Sequence, residues 1–348
     1  MLFDPRIFRA NDSLRRDTVQ RFGSCNCHRR PLRWSPISSR RARSLSVIRS
    51  HVARGRFRVG SLWRPRLRIV DESVVAVVPT FRPDSGDLIG LVTSLQAQGI
   101  RVLVTDDASP CTSDPALLDV QSLGVDVVRH RHNRGIARGL NDGLAFAVAR
   151  GADWLLTVDQ DSSLPSDYVS ALRAASTDGV GVIGAEIISD ASGDVRYPTT
   201  QRDGYLTTEE VFQTGSLWSV AALTAIGGFD ESLGIDAVDA AACLRLRERG
   251  FIVALAPGVR LEHRVGSARQ VTLLGRTVLA TGHSPQRRTT MVRNRLRLAP
   301  AEFRQSPKHA IRTLRRVGVN AVLGATVEEN RWAKTKGTIR GLWPRASR

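Results

Sequence analysis

The feature that most constrains this chain is an apolar run that ends in two carboxylates. Residues 154–162 read Trp-Leu-Leu-Thr-Val-Asp-Gln-Asp-Ser, so a stretch of strand length stops at Asp159 and Asp161. Such a run predicts a strand buried in a sheet, and the chain direction puts both carboxylates at its carboxyl end, where open α/β sheets bind ligands. Carboxylates there suit Mg²⁺ or Mn²⁺, which complete their shells with substrate phosphate. The alternative for this common tripeptide is a solvated turn.

Upstream of this run, strand-like segments alternate with helical spacing. Strands are predicted at 73–80, 101–105 and 125–129, a helix at 86–98, and a second helix that opens at Asn133 and stops at Gly151. Strands alternating with helices over roughly 90 residues predict a parallel sheet with right-handed connections, of nucleotide-binding type.

Downstream, the pattern is less regular. It predicts a strand at 179–188, a polar loop region at 189–210, a short helix after Trp218, a helix through Cys243 that stops at Gly250, and a strand at 251–255. The predicted domains are an N-terminal segment (1–72), a catalytic domain (73–285, divided into a donor part, 73–165, and an acceptor part, 166–285) and a basic helical C-terminal region (286–348).

The net charge of +18 is concentrated at the N-terminus. Residues 1–70 hold eighteen arginines and three aspartates, a balance of +15, which leaves +3 for residues 71–348. The Arg-rich segment is predicted to be disordered: a solvated tail, a targeting segment, or residues upstream of the true start. The charge of the rest does not support nucleic-acid binding, and neither a signal peptide nor a membrane span is predicted.

The C-terminal region has a helical pattern with one cationic face. Ile311 and Leu314 alternate with Arg312, Arg315 and Arg316. The pattern fits a solvated helix packed on the domain. It also fits an interfacial helix that touches an anionic membrane, which needs both apolar insertion and basic attraction.

Two common phosphate-binding motifs are absent from the sequence. There is no Gly-x-x-x-x-Gly-Lys-Ser/Thr, and no Gly-x-Gly-x-x-Gly follows the first strand. These absences argue against a P-loop enzyme and a dinucleotide-binding dehydrogenase. The predicted strands end instead in Pro79-Thr80, Asp106-Asp107 and Asp159-x-Asp161. Such acceptors suit a base and a ribose, with a metal for the diphosphate.

Seven short motifs in order carry a resemblance to a known family. They are Val-Val-Pro-Thr-Phe (77–81), Asp-Asp-Ala-Ser (106–109), Asn-Arg-Gly-Ile-Ala (133–137), Asp-Gln-Asp-Ser (159–162), Gly-Gly-Phe-Asp-Glu (227–231), Ile-Asp-Ala-Val-Asp (235–239) and His-Arg-Val-Gly (263–266). With them, residues 74–300 resemble a family 2 glycosyltransferase of the GT-A fold, in its bacterial rhamnosyltransferase-like branch. The resemblance implies an α/β fold with a mostly parallel central sheet, helices on both faces, and here a basic helical C-terminal extension.

The resemblance also implies roles for particular residues. Asp239 falls where the family has its catalytic base, Asp161 is the main metal ligand, and His263 corresponds to a histidine that in some relatives reaches the same metal. The residues implied at the donor are Pro79, Thr80, Asp106, Asp107, Asn133, Gly135 and Asp159, and those at the acceptor are Trp218 and Asp236. Val238 replaces a frequent Glu, and Ala241 and Ala242 replace bulkier residues, so acceptor specificity is left open.

The implied activity is inverting, metal-dependent sugar transfer from a nucleoside diphosphate to a hydroxyl of a glycan or lipid-linked saccharide. The donor implied by the branch is dTDP-L-rhamnose, with UDP-galactofuranose or another hexosyl donor as the alternative. We expect the site to face the cytoplasm, with peripheral membrane contact. The rival classes are a nucleotidyltransferase, which would carry a Gly-rich basic loop after the first strand, and a basic nucleic-acid-binding protein.

Most of these residues also have a structural interpretation. Asp236 and Asp239 have the spacing of a helix N-cap and a first-turn acid. Asp106 and Asp107 suit turns, Asn133 and Gly135 a helix entry, and His263 a surface position. Trp218 suits a sugar-stacking surface and a buried core equally.

Overall fold

The computed structural model describes residues 73–190, 193–202, 205–263, 269–273, 276–280 and 282–343. They belong to one compact unit, Ile69–Arg348. The Arg-rich segment 1–72 lies outside the described residues, as do residues 264–266 of the last motif.

Strands and helices alternate along the first part of the chain, as the sequence predicts. The elements in order are β1 (Val74–Thr80), α1 (Ser85–Ala97), β2 (Arg101–Asp106), α2 (Asp114–Ser122), β3 (Asp126–Arg129), α3 (Ile136–Ala149), β4 (Trp154–Thr157), β5 (Ser162–Ser163) and α4 (Tyr168–Ala174). The β-branched residues of β1 are buried whichever way they point, as in central strands covered on both faces. α3 begins three residues after the predicted opening at Asn133.

The second part of the chain has more strands than predicted. Its elements are β6 (Val180–Asp190), β7 (Gly193–Arg196), β8 (Thr200–Arg202), β9 (Tyr205–Thr207), β10 (Ser216–Ser219), α5 (Val220–Ala225), α6 (Val238–Glu248), β11 (Ile252–His263), β12 (Arg269–Leu273), β13 (Arg276–Ala280), α7 (Pro285–Gln305), α8 (Pro307–Thr326) and α9 (Arg331–Leu342).

The prediction of a polar loop over 189–210 was wrong, because this segment contains β7, β8 and β9. β7 pairs with β6, and β9 pairs with both β8 and β11. These strands have only three or four residues each. Such short segments are too brief to show a hydrophobic periodicity, so the sequence pattern does not reveal them.

The central sheet is mixed and mostly parallel. Its strand order is β3-β2-β1-β4-β10-β6-β11-β9-β8. β1 is parallel to β2 and β4, β2 is parallel to β3, and β6 is parallel to β11, whereas β10 runs antiparallel between β4 and β6. The registers Thr80↔Asp106 and Val77↔Thr157 bring the ends of β1, β2 and β4 to one edge. The predicted fold class is confirmed.

Helices cover both faces of this sheet, and successive residues of β1 point to opposite layers. Val75 and Val77 join a core cluster with residues of α3, α5 and α6. Val74, Ala76 and Val78 join a second cluster with residues of α1, α2 and α4. Each large apolar side chain buried there contributes about 1.5–3 kcal/mol, so the two layers fix the strand ends firmly.

The C-terminal helices pack on one another, and α7 also packs on α6. Gly337 and Gly341 of α9 lie so close to α7 that a Cβ would come within 2.3 Å of the Pro285 carbonyl oxygen and 2.7 Å of the Thr289 carbonyl oxygen. The basic helical region predicted from residue 286 is therefore helical and tightly seated. Within the described part of the chain, none of the helices is both long and apolar enough to cross a membrane.

Candidate active site

The first group of predicted residues lies where β1 and β2 end. Thr80 and Asp106 are opposite each other, and the Asp107 amide donates to the Thr80 carbonyl oxygen at 2.9 Å. Thr80 is 2% exposed and Asp106 is fully buried. Asp106 accepts from the Ser109 amide at 3.1 Å and lies 3.2 Å from Arg129 Nε. The Thr80 hydroxyl donates to Asp106 Oδ1 at 3.5 Å. Both side chains therefore help to shape the turn, as the structural interpretation of Asp106 expects.

Asp107 holds the next loop. Its carboxylate accepts from the backbone amides of Arg134 and Gly135 at 2.7 and 2.8 Å. It also lies 3.1 Å from His130 Nδ1, whose other ring nitrogen is 2.6 Å from Asp142. Hydrogen bonding to Asp142, and then to Asp107, raises the pKa of His130 despite its burial. His130 carries no sequence motif of its own and was not predicted.

The loop at 133–135 joins the donor part to the acceptor part. Asn133 is exposed, and its amide donates to the Asp107 carbonyl oxygen at 3.3 Å. Gly135 has φ +85°, and a Cβ there would lie 2.5 Å from the Gly234 carbonyl oxygen. Only glycine permits both this conformation and this approach. The loop therefore packs directly on the segment that leads to Asp239.

A glutamine between the two carboxylates ties β1 to β4. Gln160 accepts from the Phe81 amide at 2.9 Å and donates to the Phe81 carbonyl oxygen at 3.3 Å. Pro79 is partly exposed within β1, two residues before this clamp. The end of β1 is thus held beside Asp159 and Asp161, both of which are partly buried.

The backbone of His263 lies beside the segment that carries the two predicted carboxylates. Asp159 and Asp161 precede Ser162, and Ser162 pairs with His263 at the end of β11. The strand pairing therefore brings His263 next to this segment although about 100 residues separate them in the chain. Carboxylate oxygens are the ligands that Mg²⁺ and Mn²⁺ prefer.

Asp239 lies in the first turn of α6 and is partly buried. Its carboxylate accepts from its neighbour's amide, Ala240 N, at 2.8 Å and from the Gln213 amide at 3.2 Å. Burial raises the pKa of Asp239 to about 6, against the attraction of Arg295 and with the repulsion of Glu210. A carboxylate with this pKa can accept a proton near neutral pH.

The segment 213–214 connects Asp239 with the carboxylates after β4. Gln213 donates its amide to Asp239, and the next residue, Thr214, accepts from the Asp159 amide at 2.9 Å. The Thr214 hydroxyl also lies 2.9 Å from that of Ser162. Two residues of extended chain span at most about 7 Å, so the amide that holds Asp239 and the hydroxyl that holds the Asp159 turn lie close together. Neither Gln213 nor Thr214 was predicted.

Asp236 is not the N-cap of α6, so that structural interpretation was wrong. The N-cap is Ala237, and Asp236 and Ala237 both have left-handed backbone, with φ +66° and +61°. The side chain of Asp236 instead pairs with Arg287 at 3.1 Å. Left-handed conformations at two consecutive non-glycine residues are strained and persist only where their surroundings hold them.

Trp218 is fully buried, which supports the core interpretation rather than the acceptor role. Its indole N–H donates to Thr157 Oγ1 at 2.9 Å, and its ring packs edge-on against Phe229 at 5.1 Å. No face of the ring is left to stack on a sugar. The ring braces β10 against β4 instead.

Helix α7 supports the strained segment before Asp239. Asn294 is 1% exposed, and its amide nitrogen lies 3.0, 3.0 and 2.9 Å from the carbonyl oxygens of Leu233, Ile235 and Asp236. Two turns earlier, Arg287 pairs with Asp236. Asn294 was not predicted, because a lone asparagine in a basic helix gives no local signal.

The next residue of α7, Arg295, enters an ionic cluster near Asp239. Arg295 lies 2.7 Å from Glu210 and 3.7 Å from Glu302. Burial alone would raise the pKa of Glu210, but Arg295 lowers it to about 2. Glu210, Glu302 and His309 hold ligand atoms within 4.8 Å of one another, yet the guanidinium already supplies the positive charge that a metal would bring. We therefore assign this cluster to ion pairing.

Comparisons with known proteins agree with the sequence resemblance. The family described as Glycosyl transferase family 2 matches residues 75–233. The dTDP-rhamnosyl transferase RfbF of Shigella flexneri is 26% identical over 239 residues, which cover 65% of this chain and 79% of the relative. A pre-mycofactocin glycosyltransferase of Mycobacterium tuberculosis is 28% identical over 204 residues, covering 54% of this chain and 42% of the relative.

Among solved structures, that of S. aureus TarS 1-349 superposes with a TM-score of 0.49 at 14% identity, covering 77% of this chain and 80% of that one. The matched residues 75–233 run from β1 to the segment before Asp239, so they include both the strand ends and the 213–214 segment. Residues 75–233 thus form a domain that matches Glycosyl transferase family 2, and the sequence is similar to that of a dTDP-rhamnosyl transferase.

Proposed function

We propose that this chain transfers a sugar from a nucleoside diphosphate to an acceptor hydroxyl, with inversion and with a divalent cation. The observation that carries the proposal is the 213–214 segment, which holds Asp239 on one side and the Asp159 turn on the other. A single in-line displacement needs a leaving-group site and a base on opposite faces of one sugar. We infer that the segment keeps the Asp159 turn and Asp239 on opposite faces of one bound sugar.

The donor would lie along the carboxyl ends of β1 and β4. We assign direct contacts to Pro79, Asn133 and Asp159, which are at least partly exposed. Thr80, Asp106 and Asp107 would act by shaping the turns, because their side chains are buried in hydrogen bonds. Gly135 would keep the donor loop seated on the acceptor part.

Asp161 and Asp159, with His263 beside them, would hold Mg²⁺ or Mn²⁺. A divalent cation bound there would neutralise the charge of the departing diphosphate. Asp239 would take the proton of the acceptor hydroxyl, a role typically worth 10²- to 10⁴-fold in rate. Asp236 would border the acceptor site, its carboxylate turned to Arg287.

For the donor, we propose dTDP-L-rhamnose, in keeping with the dTDP-rhamnosyl transferase among the relatives. The acceptor would be a hydroxyl of a glycan or lipid-linked saccharide, at the cytoplasmic face of the membrane. UDP-galactofuranose is the donor to test against it.

The test is a panel of nucleotide sugars, scored by thermal stabilisation and by donor hydrolysis with and without Mn²⁺ or Mg²⁺. We expect dTDP-L-rhamnose to stabilise the protein only when the cation is present. Asp161→Asn should abolish this dependence, while the matched change Asp178→Asn, at an exposed site beyond α4, should not. Stabilisation that is indifferent to the cation would refute the metal assignment, and preference for another donor would refute the rhamnosyl one.

A further inference from the structure

Helix α9 exposes an apolar stripe to solvent. Trp332, Ile339 and Trp343 are 84%, 52% and 76% exposed. The spacing of seven residues places Trp332 and Ile339 on one side of the helix, with Lys336 between them in the same line. Trp343 is the residue directly after the last helical residue, Leu342, and continues that line by a further four residues. We call these four residues the α9 stripe. Burial of two tryptophans is the ordinary outcome of folding, so their exposure calls for a partner.

The stripe cannot turn inward, because the opposite side of α9 is fixed on α7. Gly337 and Gly341 allow the close backbone contact described above, and Thr289 Oγ1 donates to the Gly337 carbonyl oxygen at 2.9 Å. Lys334, on the same inner side, is buried against Glu328 at 2.7 Å. The outward direction of the stripe is therefore set by packing.

The charge around the stripe is strongly positive. Residues 285–343 contain eleven arginines and three lysines against three glutamates, a balance of +11, whereas residues 71–284 carry −10. Within the described residues, several exposed cations of α8 and α9 have no acidic partner, namely Lys308, Arg312, Arg315, Lys336 and Arg340. Ile311, 59% exposed, lies among those of α8.

We propose that the α9 stripe and these cations form a docking surface for an anionic lipid bilayer. Tryptophan is enriched at membrane–water interfaces, where its ring meets the acyl region and its N–H meets water. Lysine is depleted in protein–protein interfaces but favoured beside anionic headgroups. The two tryptophans are eleven residues apart, roughly 16 Å along the axis, so α9 would lie in the plane of the surface with both rings at one depth.

The surface needs both components. Apolar insertion of the tryptophans and attraction of the cations are each modest, and together they give stable binding. Because α9 sits on α7, and α7 holds the segment before Asp239, docking would keep the site beside a lipid-linked hydroxyl. That consequence rests on the proposed function, but the docking itself does not.

The test uses the full chain without donor, so its result is independent of the transfer activity. Co-sedimentation with phosphatidylcholine vesicles is compared with that for vesicles containing about a third phosphatidylglycerol. We expect binding only to the anionic vesicles. The double variant Trp332→Ala/Trp343→Ala should lower the partition coefficient at least about ten-fold. Lys336→Gln/Arg340→Gln should lower it about ten-fold and reduce its salt dependence.

The control is Leu118→Ala, which removes a 48% exposed apolar side chain from α2 and should bind as the parent does. Because the changed residues are exposed, circular dichroism and thermal unfolding should match the parent. Undiminished binding by the tryptophan variant would assign the attraction to the Arg-rich segment 1–72 and overturn the proposal. A parent dimer that the tryptophan changes dissociate, with no vesicle binding, would overturn it in favour of self-association.

Discussion

An acidic part of the chain, residues 71–284, and a basic part, residues 285–343, differ in charge and in the way they contribute to the site. Residues 71–284 carry a balance of −10 and supply the carboxylates at the sheet edge, whereas residues 285–343 carry +11 and supply no predicted site residue. Yet α7, in the basic part, holds the segment before Asp239 by means of Asn294. Arg295 of the same helix attracts the Asp239 carboxylate. The acidic part therefore provides the reactive groups, and the basic part supports the strained segment that leads to Asp239.

The largest expected effect on the transfer rate comes from a change in the acidic part alone. Asp239→Asn keeps the size of the side chain but cannot accept the acceptor proton, so the transfer rate should fall about 10²- to 10⁴-fold. Binding of dTDP-L-rhamnose with Mn²⁺ should change little. The measurement is kcat together with calorimetric donor affinity. A variant that transfers at the parent rate would remove Asp239 from the mechanism.

The second prediction tests whether the basic part positions Asp239. Asn294→Ala leaves three carbonyl oxygens without their donor and frees the left-handed Asp236 and Ala237. We expect stability to fall by about 1–3 kcal/mol and kcat by up to about 10²-fold, because the base moves out of position. Urea unfolding and steady-state kinetics measure both.

The matched control is Asn320→Ala on α8, where no side-chain hydrogen bond is formed within the described residues. If Asn294→Ala lowered stability but left kcat intact, Asn294 would support the fold only. The basic part would then not position Asp239 through this residue.

The third effect is on pH dependence. Because the pKa of Asp239 is raised to about 6, activity should fall as the pH drops through about 6 and the base becomes protonated. We call this fall the acidic limb of the pH–activity profile. Arg295→Met removes an attraction that favours the charged carboxylate of Asp239, so the acidic limb should move to higher pH. Activity should be several-fold lower at pH 6 and nearly unchanged at pH 8.

Glu210→Gln removes a repulsion and should move the limb the other way. Arg295→Lys, which keeps the charge, is the control for Arg295→Met and should leave the limb close to that of the parent. Movement of both limbs in one direction would show that packing, rather than charge from α7, sets the pKa of Asp239.

The smallest effect is on stability and concerns the sheet edge, in the acidic part. His130 bridges Asp107 and Asp142, and its pKa is raised above 6.5. Its stabilisation is fully present below pH 6.5 and is lost as the pH rises through the raised folded value. His130→Gln should therefore destabilise the protein by about 1–2 kcal/mol at pH 6 and by less at pH 9. The exposed His132→Gln is the control, and an equal loss at both pH values would contradict the charge-based account.

Much of the fold could be predicted because it depends on the hydrophobic spacing and residue types of short segments. The β-branched run of β1, the helical spacing of α3 and the polar residues after β4 each predict their element within a few residues. The short strands β7 to β9 could not be predicted in this way, since their pairing depends on the free sides that β6 and β11 offer.

The site divides along the same line. The positions of Asp159, Asp161 and His263 followed from motifs at strand ends, and β5 brings the backbone of His263 to Ser162. The burial of Trp218 and the loss of the Asp236 cap did not follow, because composition does not say which face of a residue its neighbours cover.

The sequence by itself determined that acidic residues follow the strands of an α/β sheet and that basic helices follow that sheet, because chain polarity and periodicity are local properties. Only the tertiary structure decided that Gln213 and Thr214 join Asp239 to the Asp159 turn, that Asn294 holds the strained segment, and that two tryptophans face outward. Those contacts link residues far apart in the chain, so packing alone selects them.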